Sequence, residues 1–583
     1  MSDTAAGTVD LLVIGAGAAG MAAALTAAAE GLRVLVCEKA EQVGGTTATS
    51  AGTIWIPGST HSVRAGVPDT VERARTYLDS VIGERADRHM RGLREAFLQS
   101  AARAIDALER HGDVAFAAAA MHPDYLSNHP GAALGGRALN AVPFDGRLLG
   151  EDFARIRPAR PELMVLGGMM VAKADIPALL KPLASLANAR HVGGLLARHA
   201  RDRLRHRRGT RLVMGNALVA RLFSSLRRRA VPIRFGTSLV ELSMRDGQVT
   251  GAVVEHGGQR EVIVALRGVV LASGGVGWNA ELRRRLFPAA AAQHSLAPET
   301  TMGDGMVAAE RAGSMPASGP GTGGLWMPVS AMPVSAMPGS GPGGRARLFP
   351  HIILDRAKPG LLAVNHTGRR FTNEADSYHA FVEAMLANGC TPERPAHLIC
   401  DRAFIRDYGI GFIHPGKRRL GRFIRSGYLI EAADAPALAA RIGVDPTAFS
   451  GTLAAYDRDA LTGTDEAFGR GGSELNRFNG DPGNRPNPCL RPLAAGPLYA
   501  VAVWPADLAS SSGLRVDADA RVLRPDGSVL PGLYACGNDA ASIFEGTYPG
   551  PGTTLGPALV FGWRAAMRAA GRADPTGATP PVA

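Results

Sequence analysis

Residues Asp10–Glu38 read DLLVIGAGAAGMAAALTAAAEGLRVLVCE. An apolar run, DLLVI, leads into GAGAAG at Gly15–Gly20, then an alanine-rich run, then a second apolar run ending at Glu38. The order predicts strand, tight turn, helix and strand. Gly15 permits the sharp reversal, Gly17 lets backbone approach a pyrophosphate, and Gly20 lets helix and strand pack closely. The helix N-terminus at Ala18 and Ala19 offers N–H groups and a positive dipole end to phosphate. Glu38 stands about 20 residues on, where an acid takes a ribose hydroxyl, with Lys39 beside it. The fold class that follows is α/β, with a GxGxxG, Rossmann-like domain that binds a dinucleotide.

The next stretch selects the dinucleotide. EQVGGTTATSAGTIWIPGS, Glu41–Ser59, places Gly44, Gly45, Thr46, Thr47, Ser50, Ala51 and Gly52 in a second, hydroxyl-rich loop directly after the ribose acid. Such a loop wraps the far side of a long dinucleotide and approaches an isoalloxazine ring, so FAD is expected rather than NAD. The loop offers no histidine for a covalent flavin link at Gly44-Gly45-Thr46, so the FAD is expected to be non-covalent.

Further along, strands flank a turn at Asp246-Gly247. RGVVLASGGVGWN then closes an apolar strand on Ser273, Gly274 and Gly275. PGLYACGNDAAS ends a strand at Gly537 and Asn538 and leads to EGTYPGPGTTLGPALVFGWRAA, where Thr554 and Leu555 open a final helix. The nucleotide domain is therefore assigned to residues 1–290 and 486–583, with an inserted α+β catalytic domain at 291–485. Within the first part, about 140–215 is read as a helical insertion or cap. The low-complexity stretch 315–345, with Pro328, Pro333 and Pro338 evenly spaced, reads as a flexible surface loop or an active-site lid.

At 583 residues the chain exceeds one ordinary core. Its formal charge is +12, but only Lys39, Lys173, Lys181, Lys358 and Lys417 are lysines, a bias toward arginine rather than a phosphate-binding tract. The densest basic run, RHARDRLRHRRGTR from Arg198, is either an exposed helix face or a contact to an anionic surface. No nucleic-acid module surrounds it. The five cysteines show no CxxC or metal spacing, so structural thiols and no metal are expected. No signal peptide and no membrane-spanning stretch is read, which implies a cytoplasmic protein, with peripheral membrane contact as one alternative for the basic segment.

In order, GAGAAG with Glu38, GGTTATSAGTIWIPG, HPDYL, GVVLASGGVGWN, GDG at Gly303, GRRFTNEADSY, GLYACGN and YPGPGTTLG resemble the fumarate reductase/succinate dehydrogenase flavoprotein superfamily over nearly the whole chain. Within it they are most similar to 3-ketosteroid dehydrogenases of the Δ1 type. Fumarate reductases clamp a dicarboxylate with arginines; here the corresponding positions carry Tyr378, in NEADSY, and the turn Tyr548-Pro549-Gly550-Pro551-Gly552. The resemblance implies that the Tyr548 hydroxyl and the Gly552 N–H hold a ketone oxygen, that Tyr378 acts as base, and that Tyr125 helps it. Substrate would be a neutral cyclic ketone, a steroid by the resemblance. Electrons would leave FAD for an external acceptor, a quinone or similar, because no haem or iron–sulfur spacing is present. Three readings remain beside this one: a Δ4-(5α)-ketosteroid or other cyclic-ketone dehydrogenase, a fumarate reductase-like flavoprotein, and a non-catalytic electron-transfer flavoprotein. Glu545, just before the turn, is expected to change the polarity of the pocket.

Overall fold

A computed structural model describes residues 7–83, 87–317, 323–333, 346–352 and 355–572. In it β1 (Thr8–Ile14), α1 (Ala18–Ala29) and β2 (Val34–Cys37) form the βαβ unit, with the two strands parallel. The last four residues of β1 are buried, as a central parallel strand requires. α1 is mostly alanine and packs closely. Gly562 of the closing helix Leu555–Ala569 would carry a Cβ only 2.6 Å from the Ala19 carbonyl, so only glycine fits there.

This unit lies in an eight-stranded sheet, ordered Ile233–Arg234, β2, β1, Gln259–Leu271, Gln248–His256 and Thr237–Arg245. The strand Gln259–Leu271 is shared. Residues up to Val264 pair antiparallel with Gln248–His256, while Val269–Leu271 pair in parallel with Leu533–Ala535. The C-terminal part of the chain thereby returns to this sheet, one strand removed from β1. Asp246 and Gly247 turn the hairpin with φ of 50° and 74°, as a two-residue type I′ turn demands.

A second, seven-stranded sheet runs Arg347–Pro350, Gly324–Met332, Leu498–Ser510, Ala396–Asp401 and Leu361–Val364, with His294–Ser295 and Ile430–Ala432 also against Leu498–Ser510. Here the structure differs from the sequence reading in two places. Gly324–Met332, read as part of a surface loop or lid, is an almost wholly buried strand. Its Pro328 stands opposite Pro505, so the two residues that lack an N–H share one rung and the ladder continues on either side. The rest of the repeat, 334–345, lies outside the described residues. Second, Leu498–Ser510 falls within the 486–583 span assigned to the nucleotide domain, yet it pairs with four strands of the second sheet. Chain up to about Ser510 therefore builds that sheet.

Segment 140–215 holds short strands and the helix Leu186–Arg203. Its basic run divides. Arg198, Arg208 and Arg211 are engaged by Asp145, Asn216 and Asp175, whereas Arg201, Arg203, Arg205 and Arg207 are exposed.

Candidate active site

The glycine-rich turn and the loop after β2 are knit together. Gly44 N–H donates to the Ala16 carbonyl at 2.8 Å, and Ala18 N–H to the Thr47 hydroxyl at 3.2 Å. Glu38 is buried and accepts from Ala16 N–H and Ala40 N–H, both at 2.8 Å. Thr46 precedes a short turn of 3-10 helix, Thr47–Thr49; Ser50 Oγ then bonds the Thr47 carbonyl and accepts from Gly52 N–H, and Ala51 is exposed. Lys39 is ion-paired with Asp304 at 2.8 Å.

The shape of this turn fits a dinucleotide. A Cβ at Gly15, where φ is +106°, would lie 2.2 Å from the Ala272 carbonyl oxygen, and one at Gly20 1.9 Å from that of Gly15. Gly17 and Gly45, in contrast, have nothing within 4 Å of that position. The packed glycines close the turn, and the open ones leave room above the start of α1 for a phosphate.

Ser273, Gly274 and Gly275 meet Gly537 and Asn538 across the sheet through a residue the sequence reading passed over. The Asp539 carboxylate is fully buried and accepts from Ser273 Oγ at 3.0 Å and Gly275 N–H at 2.9 Å. Asn538 Nδ2 reaches the Gly274 carbonyl, and a Gly537 Cβ would touch Ala19. Thr554 and Leu555 begin the closing helix.

Tyr125, Tyr378 and Tyr548, from three distant segments, form one cluster. Their ring centroids are 5.3–5.7 Å apart, and the Tyr125 and Tyr378 hydroxyls are hydrogen-bonded at 3.3 Å. They are buried among Leu296, Leu325, Met327, Val329, Leu348 and Leu475. Burial raises all three phenols above their usual pKa, so each is held protonated at neutral pH.

The turn that carries Tyr548 is fixed from behind. The Pro549 carbonyl accepts from Tyr77 Oη–H at 2.6 Å and Tyr125 N–H at 2.8 Å, and Leu126 N–H donates in turn to Tyr77 Oη. A Cβ at Gly550 would strike Trp55 Nε1 and Asp124, and one at Gly552, φ +92°, the Thr53 carbonyl. Asp124 holds the Trp55 indole at 2.8 Å and Arg137 at 2.7 Å, and Arg137 reaches Asp69. Among the described residues no acceptor takes the Gly552 N–H, while its carbonyl accepts from Trp55 and Gly556. Tyr77, Asp124 and Arg137 were not foreseen; only Asp124, inside HPDYL, lay in a motif. Glu545 differs from expectation too. It is ion-paired with Arg94 at 2.8 Å, both side chains buried, so its charge is spent on that arginine rather than on the pocket.

Tyr378 opens the helix Tyr378–Ala387, capped by Ser377 Oγ. The preceding turn rests on Glu374, fully buried, which binds Arg370 at 2.8 Å, Arg470 at 3.0 Å and Ala363 N–H at 3.0 Å. Burial alone would raise this carboxyl; the two guanidiniums outweigh it and hold it down at about 2. His379 Nδ1 accepts from Trp326 N–H, so its Nε2–H donates to the Gly546 carbonyl at 2.8 Å and ties this helix to the Tyr548 turn.

The depressed Glu374 sets a pH dependence. Its contribution is complete above the unfolded carboxyl pKa of about 4.3 and is lost as pH falls toward 2. Glu374→Gln is expected to cost about 3–5 kcal/mol at neutral pH, because two buried guanidiniums lose their anion. Denaturant melts at a series of pH values should show the gap between variant and parent closing as the medium is acidified. A gap that is constant with pH would refute the assignment.

Residues 10–555 match the family described as FAD binding domain. The chain is 39% identical to a 4-oxocyclohex-2-ene-1-carboxylate 5-dehydrogenase of Sinomonas cyclohexanicum, over 95% of this chain and 92% of the relative. It is 34% identical to a 3-oxosteroid 1-dehydrogenase of Mycobacterium tuberculosis, over 97% and 98%. The crystal structure of 3-ketosteroid delta1-dehydrogenase from Sterolibacterium denitrificans, in complex with 1,4-androstadiene-3,17-dione, superposes with a TM-score of 0.87 at 32% identity, covering 97% of this chain and 99% of that one. With the dinucleotide turn and the tyrosine cluster in place, these likenesses settle the family: the chain belongs to the FAD binding domain family and is an FAD-dependent oxidoreductase.

Proposed function

We propose that this enzyme introduces a carbon–carbon double bond beside a ring ketone, and that its substrate is a 3-oxosteroid desaturated at C1–C2. The observation that carries the reading is the cluster of three buried tyrosines, one of them on a turn whose backbone is pinned at Pro549. Tyr548 O–H and Gly552 N–H donate to the ketone oxygen. Two pre-aimed donors stabilise the enolate that forms, at about 3–4 kcal/mol for such a donor. Tyr378 takes the proton from the carbon next to the ketone. Burial keeps the Tyr378 and Tyr125 phenols protonated, so Tyr378 accepts that proton only once this hydrogen-bonded pair has released one proton to solvent. The Gly15–Gly20 turn and the Gly44–Thr47 loop would hold FAD non-covalently, and the bound cofactor would supply the acceptor for the hydride lost from the neighbouring carbon. The substrate thus loses one proton and one hydride, and an external acceptor such as a quinone reoxidises the cofactor.

A second reading takes a smaller ketone. The Sinomonas relative, named for a cyclohexenone carboxylate, is 39% identical against 34% for the Mycobacterium steroid enzyme. The same donors and base serve both rings. Purified protein should reduce a dye acceptor with 4-androstene-3,17-dione and yield a product two hydrogens lighter. Turnover of 4-oxocyclohex-2-ene-1-carboxylate alone would replace the steroid reading with the second. On the active substrate, Tyr548→Phe is expected to lower kcat about 100-fold with FAD content unchanged. Near-parental turnover would remove Tyr548 from the mechanism.

We also propose that segment 140–215 rests on a membrane surface, which suits a sparingly soluble substrate. Leu183, Leu186 and Leu204 are 89%, 78% and 84% exposed, and the exposed Arg190, Arg201, Arg203 and Arg205 lie among them. Apolar side chains interspersed with arginines suit an anionic interface. Among the described residues no helix is long and apolar enough to cross a membrane. The protein should float with phosphatidylglycerol vesicles and bind them about 10-fold less well as the double variant Leu183→Asp, Leu186→Asp. Equal recovery of parent and variant, or none of either, would dismiss the contact.

A further inference from the structure

The start of segment 140–215 is built into the cofactor site. Val43 N–H donates to the Arg155 carbonyl at 2.8 Å and Arg157 N–H to the Val43 carbonyl at 3.1 Å, so residues 155–157 run as a short parallel bridge beside Val43. The next residue, Gly44, is bonded to Ala16 in the glycine-rich turn. Arg208 braces the other side, through the Ile156 carbonyl at 3.1 Å and Asn216 Oδ1 at 2.6 Å, and Asn216 reaches the Ala48 carbonyl.

Two arginines flank this bridge, and they differ. Arg155 is ion-paired with Glu41 at 2.6 Å and lies over the Phe235 ring. Arg157 has no carboxylate oxygen within 4 Å among the described residues, and its Nε is buried without an acceptor. Glu38 acts on it as the nearest opposing charge, but both Glu38 oxygens already take backbone N–H groups. A buried guanidinium N–H without an acceptor is costly and calls for an explanation, and beside the dinucleotide turn a bound ligand would supply the acceptor. Glu38 marks the ribose of the adenosine half in a fold of this kind.

We propose that Arg157 is a cofactor-binding residue that donates to the anionic adenosine-diphosphate half of FAD. The inference goes beyond the substrate reading and does not rest on it, since it concerns only the cofactor. Arg157 touches the half remote from the tyrosines and governs retention of FAD rather than the chemistry.

The test is release of FAD from the purified holoenzyme, followed by flavin fluorescence on dilution, with ADP titrated as competitor. Arg157→Met is expected to weaken FAD at least about 10-fold and ADP by a similar factor, with kcat at saturating FAD within about twofold of the parent. Arg157→Lys, which keeps the charge, should recover part of the loss. Should the methionine variant not fold, Arg157→Gln is read by the same criteria. FAD and ADP affinities unchanged within about twofold would overturn the proposal. So would weakened FAD with unchanged ADP, because the arginine would then act on the flavin half.

Discussion

One carbonyl joins the parts of the candidate active site. Pro549 O accepts from the Tyr77 hydroxyl, 472 residues away in sequence, and from the N–H of Tyr125. That junction sets the Tyr548 turn against the Tyr125 loop. His379 does the same for the helix of Tyr378 through the Gly546 carbonyl. Each bond is worth about 1 kcal/mol in stability, a small sum. Their weight lies in geometry, since a displacement of about 1 Å at a reacting group costs about 100-fold in rate.

Charge is distributed accordingly. The cluster proposed to react is phenolic, and burial keeps it neutral. The charges stand in the frame around it: Arg137 between Asp69 and Asp124, Arg470 and Arg370 on Glu374, Arg94 on Glu545. Buried pairs of this kind are at best near break-even for stability against apolar residues of the same size. Losing one partner, however, strands the other, and that penalty holds each turn in a single arrangement. A neutral ketone placed among the phenols meets oriented donors rather than a full charge.

Much of this was legible in the sequence because its signals are local. The βαβ unit needs only the residues from Asp10 to Glu38, and the loop that points to FAD follows at once. The three tyrosines sit in motifs and come together in the structure. What escaped depends on partners far along the chain. Arg137 and Asp69 are 68 residues apart, and Arg94 and Glu545 are 451 apart, so no window contains either pair. Gly324–Met332 looks like loop because of its prolines; only Pro505 on the facing strand shows why Pro328 is tolerated. The domain boundary at 486 missed Leu498–Ser510 for a related reason, since an apolar strand does not declare which sheet will take it.

On the proposed mechanism this phenol cluster removes a proton beside a ketone whose oxygen is held by Tyr548 and Gly552. Proton removal can be separated from oxidation by reducing the flavin beforehand, so that hydride has nowhere to go. The measurement is exchange of the α-protons of 4-androstene-3,17-dione, or of the cyclic ketone shown to be the substrate, into deuterated buffer, followed by NMR. Enzyme-dependent exchange is expected at the carbon beside the ring ketone, abolished in Tyr378→Phe. Exchange no faster than in buffer, from protein that desaturates the same ketone normally when its flavin is oxidised, would contradict it.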